Sequence, residues 1–119
     1  DDIIYGTYGI HPHEAKNDKV TTELIIQEIK VNKKIIGIGE TGLDFYYNHS
    51  KKKNQKDLFI EHIKAAQESS LPLIVHTRSA ETETYEILKS ELKISNTLRS
   101  SSLNSFITAI FELIFFSFE

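Results

Sequence analysis

The chain of 119 residues contains no cysteine, no methionine, no tryptophan and only two prolines. The absence of cysteine excludes disulfide frameworks, thiolate zinc sites and cysteine nucleophiles together, and it leaves the redox compartment open. Any chemistry must come from histidine, carboxylates, hydroxyls or a metal held by nitrogen and oxygen. Without methionine, position 1 is not a translation start, and Asp1-Asp2-Ile3-Ile4-Tyr5 lacks the charged and apolar regions of a signal peptide, so a segment of a longer protein is expected. An excess of positive charge is missing too: 14 Lys and Arg stand against 17 Asp and Glu, a net charge of −3, which gives no general attraction to a polyanion. A nucleic-acid partner would need a local patch or a bound cation. Long hydrophobic runs are also lacking. The 14 residues from Phe106 to Glu119 are mostly apolar but fall short of the ~20 that span a bilayer, and Glu112 interrupts them, so no membrane association is expected. A cytoplasmic or nuclear location is the expectation.

What is present is ordinary globular composition, 39% hydrophobic and 26% charged. Ile3 to Ile10 is β-branched and aromatic with two glycines, which fits a buried strand, and it stops at His11-Pro12-His13 because Pro12 cannot continue a ladder. From about Asp18 to Asn32, Leu24, Ile25, Ile26 and Ile29 fall in one helical sector. Ile35 to Gly39 is a short continuous apolar run, a strand buried on both faces that ends at Glu40. A long polar loop follows, running through Asp44, Tyr47 and the Lys51-Lys52-Lys53 stretch. Leu58, Phe59, His62, Ile63 and Ala66 then mark a helix over Gln55 to Ser69. Leu71 to Val75 is a third strand ending at His76-Thr77-Arg78, and Tyr85, Leu88 and Leu92 mark a third helix.

Strand and helix alternate three times, which argues for an α/β fold with a parallel sheet covered by helices. The strand ends at Ile10, Gly39 and Val75 are 29 and 36 residues apart, close to the ~31 per unit of a (β/α)8 barrel, although a doubly wound sheet would also accommodate them. About three units of the eight are present. The composition changes at Ser95, so residues 1–94 read as a partial barrel domain and 95–119 as a divergent serine-rich, then apolar, tail, of truncated or misread origin. Open sheet edges predict self-association unless the segment from Phe106 to Phe118 folds back as a cover.

Ionisable residues collect at the carboxyl end of every strand: His11, His13 and Glu14 after the first, Glu40 through Asp44 after the second, His76 and Arg78 after the third. In a parallel sheet these ends share one rim. Imidazole and carboxylate without thiol are the ligand set of zinc, manganese or magnesium hydrolases. His11 and His13 also fit a solvated turn pair shaped by Pro12. Glu40, directly after a buried strand, would be costly there without a partner and reads as a ligand. His76 fits either a backbone-bonded histidine or a ligand beside Arg78. The lysine run reads as a solvated face, and His49 and His62 as incidental.

Gly9-Ile10-His11-Pro12-His13, Ile38 through Tyr47, the helix opening at Gln55 to Phe59, and Leu71 through Ala80 resemble three consecutive motifs of the TatD family of metal-dependent deoxyribonucleases, which are amidohydrolase-like TIM barrels. The resemblance covers about residues 3 to 93. It implies a barrel with two divalent metal ions (Mg, Mn or Zn) that hydrolyses DNA, its substrate partner. By matching motifs, Glu40 stands at the metal-bridging glutamate and His76 at a metal-binding histidine, with His11, His13, Asp44 and Arg78 at positions for substrate phosphate or for support of the ligands. The family's first-strand His-x-His pair and its later histidine and aspartate are not in this chain, which predicts weak or no activity for these residues alone. Two alternatives accompany this reading: a metal hydrolase of amides or small phosphoesters, and a catalytically inactive binding chain.

Overall fold

The computed structural model describes residues 4–16, 19–47 and 49–92. Three parallel strands form one sheet in the order β1 (Gly6–Tyr8), β2 (Ile35–Asp44), β3 (Leu73–Arg78), with helices α1 (Thr22–Val31), α2 (Lys52–Ser69) and α3 (Glu81–Glu91) between and after them. The expected βα alternation and parallel pairing are present. The tail and its boundary at Ser95 lie outside the described residues.

Local chemistry sets the helix ends. The Thr21 hydroxyl accepts from the Leu24 amide at 3.3 Å and caps α1, and Ser70, with φ of 57° in the left-handed region, closes α2. The stripe Leu58, Phe59, His62, Ile63 and Ala66 is buried as its spacing predicts. Phe59, Ile63 and Ala66 of this stripe pack with Ile25, Ile38, Leu43, Leu73 and Val75 in the core, where Phe59 is fully enclosed. Truncating such a phenylalanine to alanine typically costs about 3–5 kcal/mol.

Several expectations are corrected. β2 does not end at Glu40 but continues through Asp44, and β3 continues through Arg78, so the polar segments after both apolar runs are themselves paired strand. Gly39 and Gly42 explain this: both have positive φ, and a Cβ on either would collide with a β3 carbonyl, that of Ile74 or of His76. The glycines that read as a loop signal are what lets the two backbones approach. Beyond the irregularity between Ile38 and Thr41 the register pairs Gly42 with His76 and Asp44 with Arg78.

The first strand is shorter than Ile3 to Ile10 and is not buried, because β2 covers one side and no described element covers the other. Ile36 of β2 is likewise exposed, as are Leu24 and Tyr85, which periodicity placed in buried stripes; in α3 Thr84 is buried instead. Among the described residues, no helix is long and apolar enough to cross a membrane.

Candidate metal centre at the strand ends

The rim at the carboxyl ends of the strands gathers all six residues singled out by sequence. Pro12 opens a short 3-10 turn over Pro12–Glu14, and His11 precedes it in extended conformation, its Nδ1 accepting from the His13 amide at 3.1 Å. That bond turns Nε2 of His11 towards the rim, 3.4 Å from Oε1 of Glu40. The same Glu40 oxygen lies 3.1 Å from Nδ1 of His76. Ligand atoms of His11, Glu40 and His76 therefore all fall within 4.8 Å of one another. Glu40 is not enclosed as its position after a buried run suggested: 47% of its side chain is exposed.

Below this group lies a second one, centred on Asp44, whose side chain is 0% exposed. Its Oδ2 accepts from His13 Nε2 at 2.8 Å, His76 Nε2 at 2.9 Å, Arg78 Nε at 2.9 Å and Arg78 Nη2 at 2.8 Å, and its Oδ1 accepts from the Tyr46 amide at 3.1 Å. Burial pushes the Asp44 carboxyl up, but the bonds from Arg78, His76, His13 and Tyr46 outweigh it and hold the group well below the usual carboxylate range. Asp44 is thus a fixed anion that only accepts hydrogen bonds.

The two groups share His76. Because Asp44 accepts only, Nε2 of His76 carries the hydrogen and Nδ1 is the atom that faces Glu40. His11 is arranged the other way: its Nδ1 lone pair is engaged by the His13 amide, so in the neutral ring Nε2 carries the hydrogen and points at Glu40. Burial, followed by the nearby His76 and His13, lowers the His11 pKa and favours that neutral ring, against the pull of Glu40 and Asp44. As a test of fit, the donor set suits a divalent cation through the Glu40 carboxylate and His76 Nδ1, whereas His11 presents a hydrogen-bond donor.

Two structural residues escaped sequence reasoning. Gln55, almost fully buried, accepts from the Asp44 amide at 2.8 Å and donates to its carbonyl at 3.0 Å, clamping the end of β2. Only its place in the first turn of a helix behind a polar loop hinted at this. His62 is not incidental: it is fully buried, accepts from the Ile10 amide through Nε2 at 3.0 Å and donates through Nδ1 to the Leu58 carbonyl at 2.8 Å. It holds the chain immediately before His11. Its apolar neighbours at helical spacing were the available signal.

A family model described as TatD related DNase matches residues 1–104. The chain belongs to that family. The chain is 45% identical over 83 residues to an uncharacterized metal-dependent hydrolase of Buchnera aphidicola subsp. Baizongia pistaciae, a match covering 70% of this chain and 31% of that protein. It is 34% identical over 76 residues to the 3'-5' ssDNA/RNA exonuclease TatD of Escherichia fergusonii, covering 64% of this chain and 29% of the relative. Among solved structures, that of YjjV, a TatD homologue from Escherichia coli K12, superposes with a TM-score of 0.66 at 25% identity, covering 88% of this chain and 44% of the other. The match identifies the three βα units as part of a TatD-type barrel. The TatD-family chain spans about a third of the length of the curated relatives it matches.

Proposed function

We propose that this TatD-family segment contributes one wall of a metal-dependent phosphodiesterase site acting on DNA. The observation that carries the reading is the convergence of Glu40 and His76 from two parallel strand ends, with ligand atoms 3.1 Å apart. Glu40 and His76 Nδ1 would hold a divalent cation, and His11 Nε2–H would orient the Glu40 carboxylate. A bound divalent ion supplies polarisation of a phosphoryl oxygen and a lowered pKa for water. The chain's own residues supply position: Asp44 fixes the His76 ring so that Nδ1 faces outward, and it aligns His13 and Arg78 along the same rim. Asp44 itself, fully enclosed, acts through these neighbours rather than on substrate.

The nucleic-acid substrate is supported by the family and by the exonuclease named above among its relatives. The test is a chain of the relatives' full length containing these residues, incubated with a DNA oligonucleotide and Mg, Mn or Zn ions in turn. Release of nucleotides that stops in EDTA and in Glu40→Ala is expected. Cleavage that persists in both would overturn the assignment of Glu40 and the metal-dependent reading with it. Hydrolysis of amides or small phosphoesters with intact DNA would select the alternative substrate class.

A further inference from the structure

Beyond Asp44 the chain leaves the sheet as Phe45-Tyr46-Tyr47, and both tyrosines remain open, Tyr46 62% and Tyr47 45% exposed. Two adjacent open aromatic rings beside a rim of charges are an unusual use of apolar surface. Nor are they loosely placed. The rings meet edge to face with centroids 4.7 Å apart at 89°, and the Arg78 guanidinium lies over both, 5.2 Å from Tyr46 and 4.6 Å from Tyr47. Arg78 is in turn held by Asp44 through Nε and Nη2. The fixed anion of the rim therefore positions the aromatic pair through one arginine.

The pair is continuous with the candidate metal centre. Tyr47 lies 5.2 Å from the His49 ring and 6.1 Å from His13, and His13 lies 4.4 Å from His11. On the other side the Lys52 amine sits 4.7 Å over Phe45. Arg78 lies over both tyrosines, His13 and His49 lie beside Tyr47, and Lys52 lies over the neighbouring Phe45, so two fixed cations and two imidazoles flank this stretch of chain. A polyanion that also carries flat rings would find both of its needs met.

We propose that Tyr46 and Tyr47 form a shelf on which unpaired bases of a single-stranded nucleic acid stack while the adjoining phosphate reaches the Glu40 and His76 end of the rim. The inference rests on the nuclease reading above; a single-stranded substrate is already named for the exonuclease relative, and what is added is the pair of residues that would hold the strand by its bases. Aromatic platforms flanked by cations bind single strands with little sequence preference, since every base offers a π-face. In a duplex both faces of each base are covered by its neighbours, so the shelf discriminates against paired strands.

The experiment uses the 119-residue chain in EDTA, where metal-dependent hydrolysis cannot intervene. Fluorescence anisotropy compares a labelled oligothymidylate, an abasic oligomer of equal length and charge, and a duplex, for the wild type, Tyr46→Ala, Tyr47→Ala and the two Tyr→Phe variants. The base-bearing single strand should bind about tenfold tighter than the abasic oligomer, each alanine variant should lose roughly that factor, and phenylalanine should retain it because the hydroxyl is not used. An unchanged urea midpoint in the alanine variants separates loss of stacking from loss of fold. Equal binding of the base-bearing and abasic oligomers, absence of binding by both included, overturns the proposal, as does a single-strand preference that survives both alanine variants. Tyrosine-dependent binding without any divalent-dependent cleavage by the full-length chain would sink the nuclease reading and leave the shelf standing. Cleavage with indifferent alanine variants would sink the shelf alone.

Discussion

Glu40 and Asp44 lie on the same strand, four residues apart and both against His76, yet they are held under opposite conditions. Asp44 is sealed, surrounded by donors from His13, His76, Arg78 and the Tyr46 amide, with its own backbone clamped by Gln55. Glu40 is half open, and among the described residues its carboxylate meets the imidazoles of His11 and His76. The first is a charge whose interactions are complete, so it can serve to orient others; the second has oxygen capacity left over, which is what a ligand needs. His76 connects them, one ring nitrogen on each carboxylate. A site of this kind separates rigidity from availability by depth along a single strand.

Breaking the buried member should produce the largest effect. Asp44→Ala leaves Arg78 and two imidazoles without their shared anion, and loss of one partner in such a buried cluster costs about 3–5 kcal/mol, read as a fall in the urea or thermal midpoint. Glu40→Ala, at the open member, should stay within about 0.5 kcal/mol of the wild type. Equal destabilisation by the two would erase the distinction.

The reverse order is expected for metal binding. Isothermal titration with Mn²⁺ should show Glu40→Gln and His76→Ala weakening affinity roughly 10- to 100-fold or more, the range that even supporting residues of metal sites reach. His11→Asn should weaken it less, because His11 offers a donor to Glu40 rather than a lone pair. A loss with His11→Asn as large as that with His76→Ala would place His11 among the ligands instead.

Acid should expose a third contrast, between buried histidines and the buried aspartate. Burial lowers the pKa of His62 below 6.5, against the opposing pull of the Leu58 carbonyl and Glu61, and His11 is lowered as well. The unfolded chain therefore binds these protons first as pH falls. The histidine contribution is fully present above about pH 6.5 and is lost as pH drops through the folded-state values. Asp44, also lowered, keeps its contribution until pH falls below the unfolded carboxylate value near 3.8. Urea midpoints measured from pH 7.5 to 3 should decline in two stages, and His62→Gln should flatten the first. A midpoint that rises between pH 7 and 5 would contradict the assignment of the neutral His62 ring.

The smallest effect belongs to Thr41, between the two carboxylates. Its hydroxyl is buried and has no hydrogen-bond partner among the described residues, so Thr41→Val should leave stability unchanged or raise it by about 1 kcal/mol. A clear loss in thermal midpoint would reveal a partner for this hydroxyl.

The chain's local chemistry determined a good part of this. Apolar runs at Ile35 to Gly39 and Leu71 to Val75, each followed by a helical stripe, are enough to specify parallel strands of a covered sheet, although Ile36 itself is exposed. The placement of Glu40 and His76 on one rim follows from that topology alone. Tertiary structure decided the rest. Whether Gly39-Glu40-Thr41-Gly42 is loop or strand depends on how closely β3 approaches, and composition, which reads glycine as punctuation, carries no record of that approach. The roles of Asp44 and His62 depend on groups 31 to 52 residues away in the chain, and that of Gln55 on Asp44, 11 residues before it. Side-chain hydrogen bonds of this kind have no sequence period, and a buried carboxylate is distinguished from an exposed one only by which donors the fold carries to it.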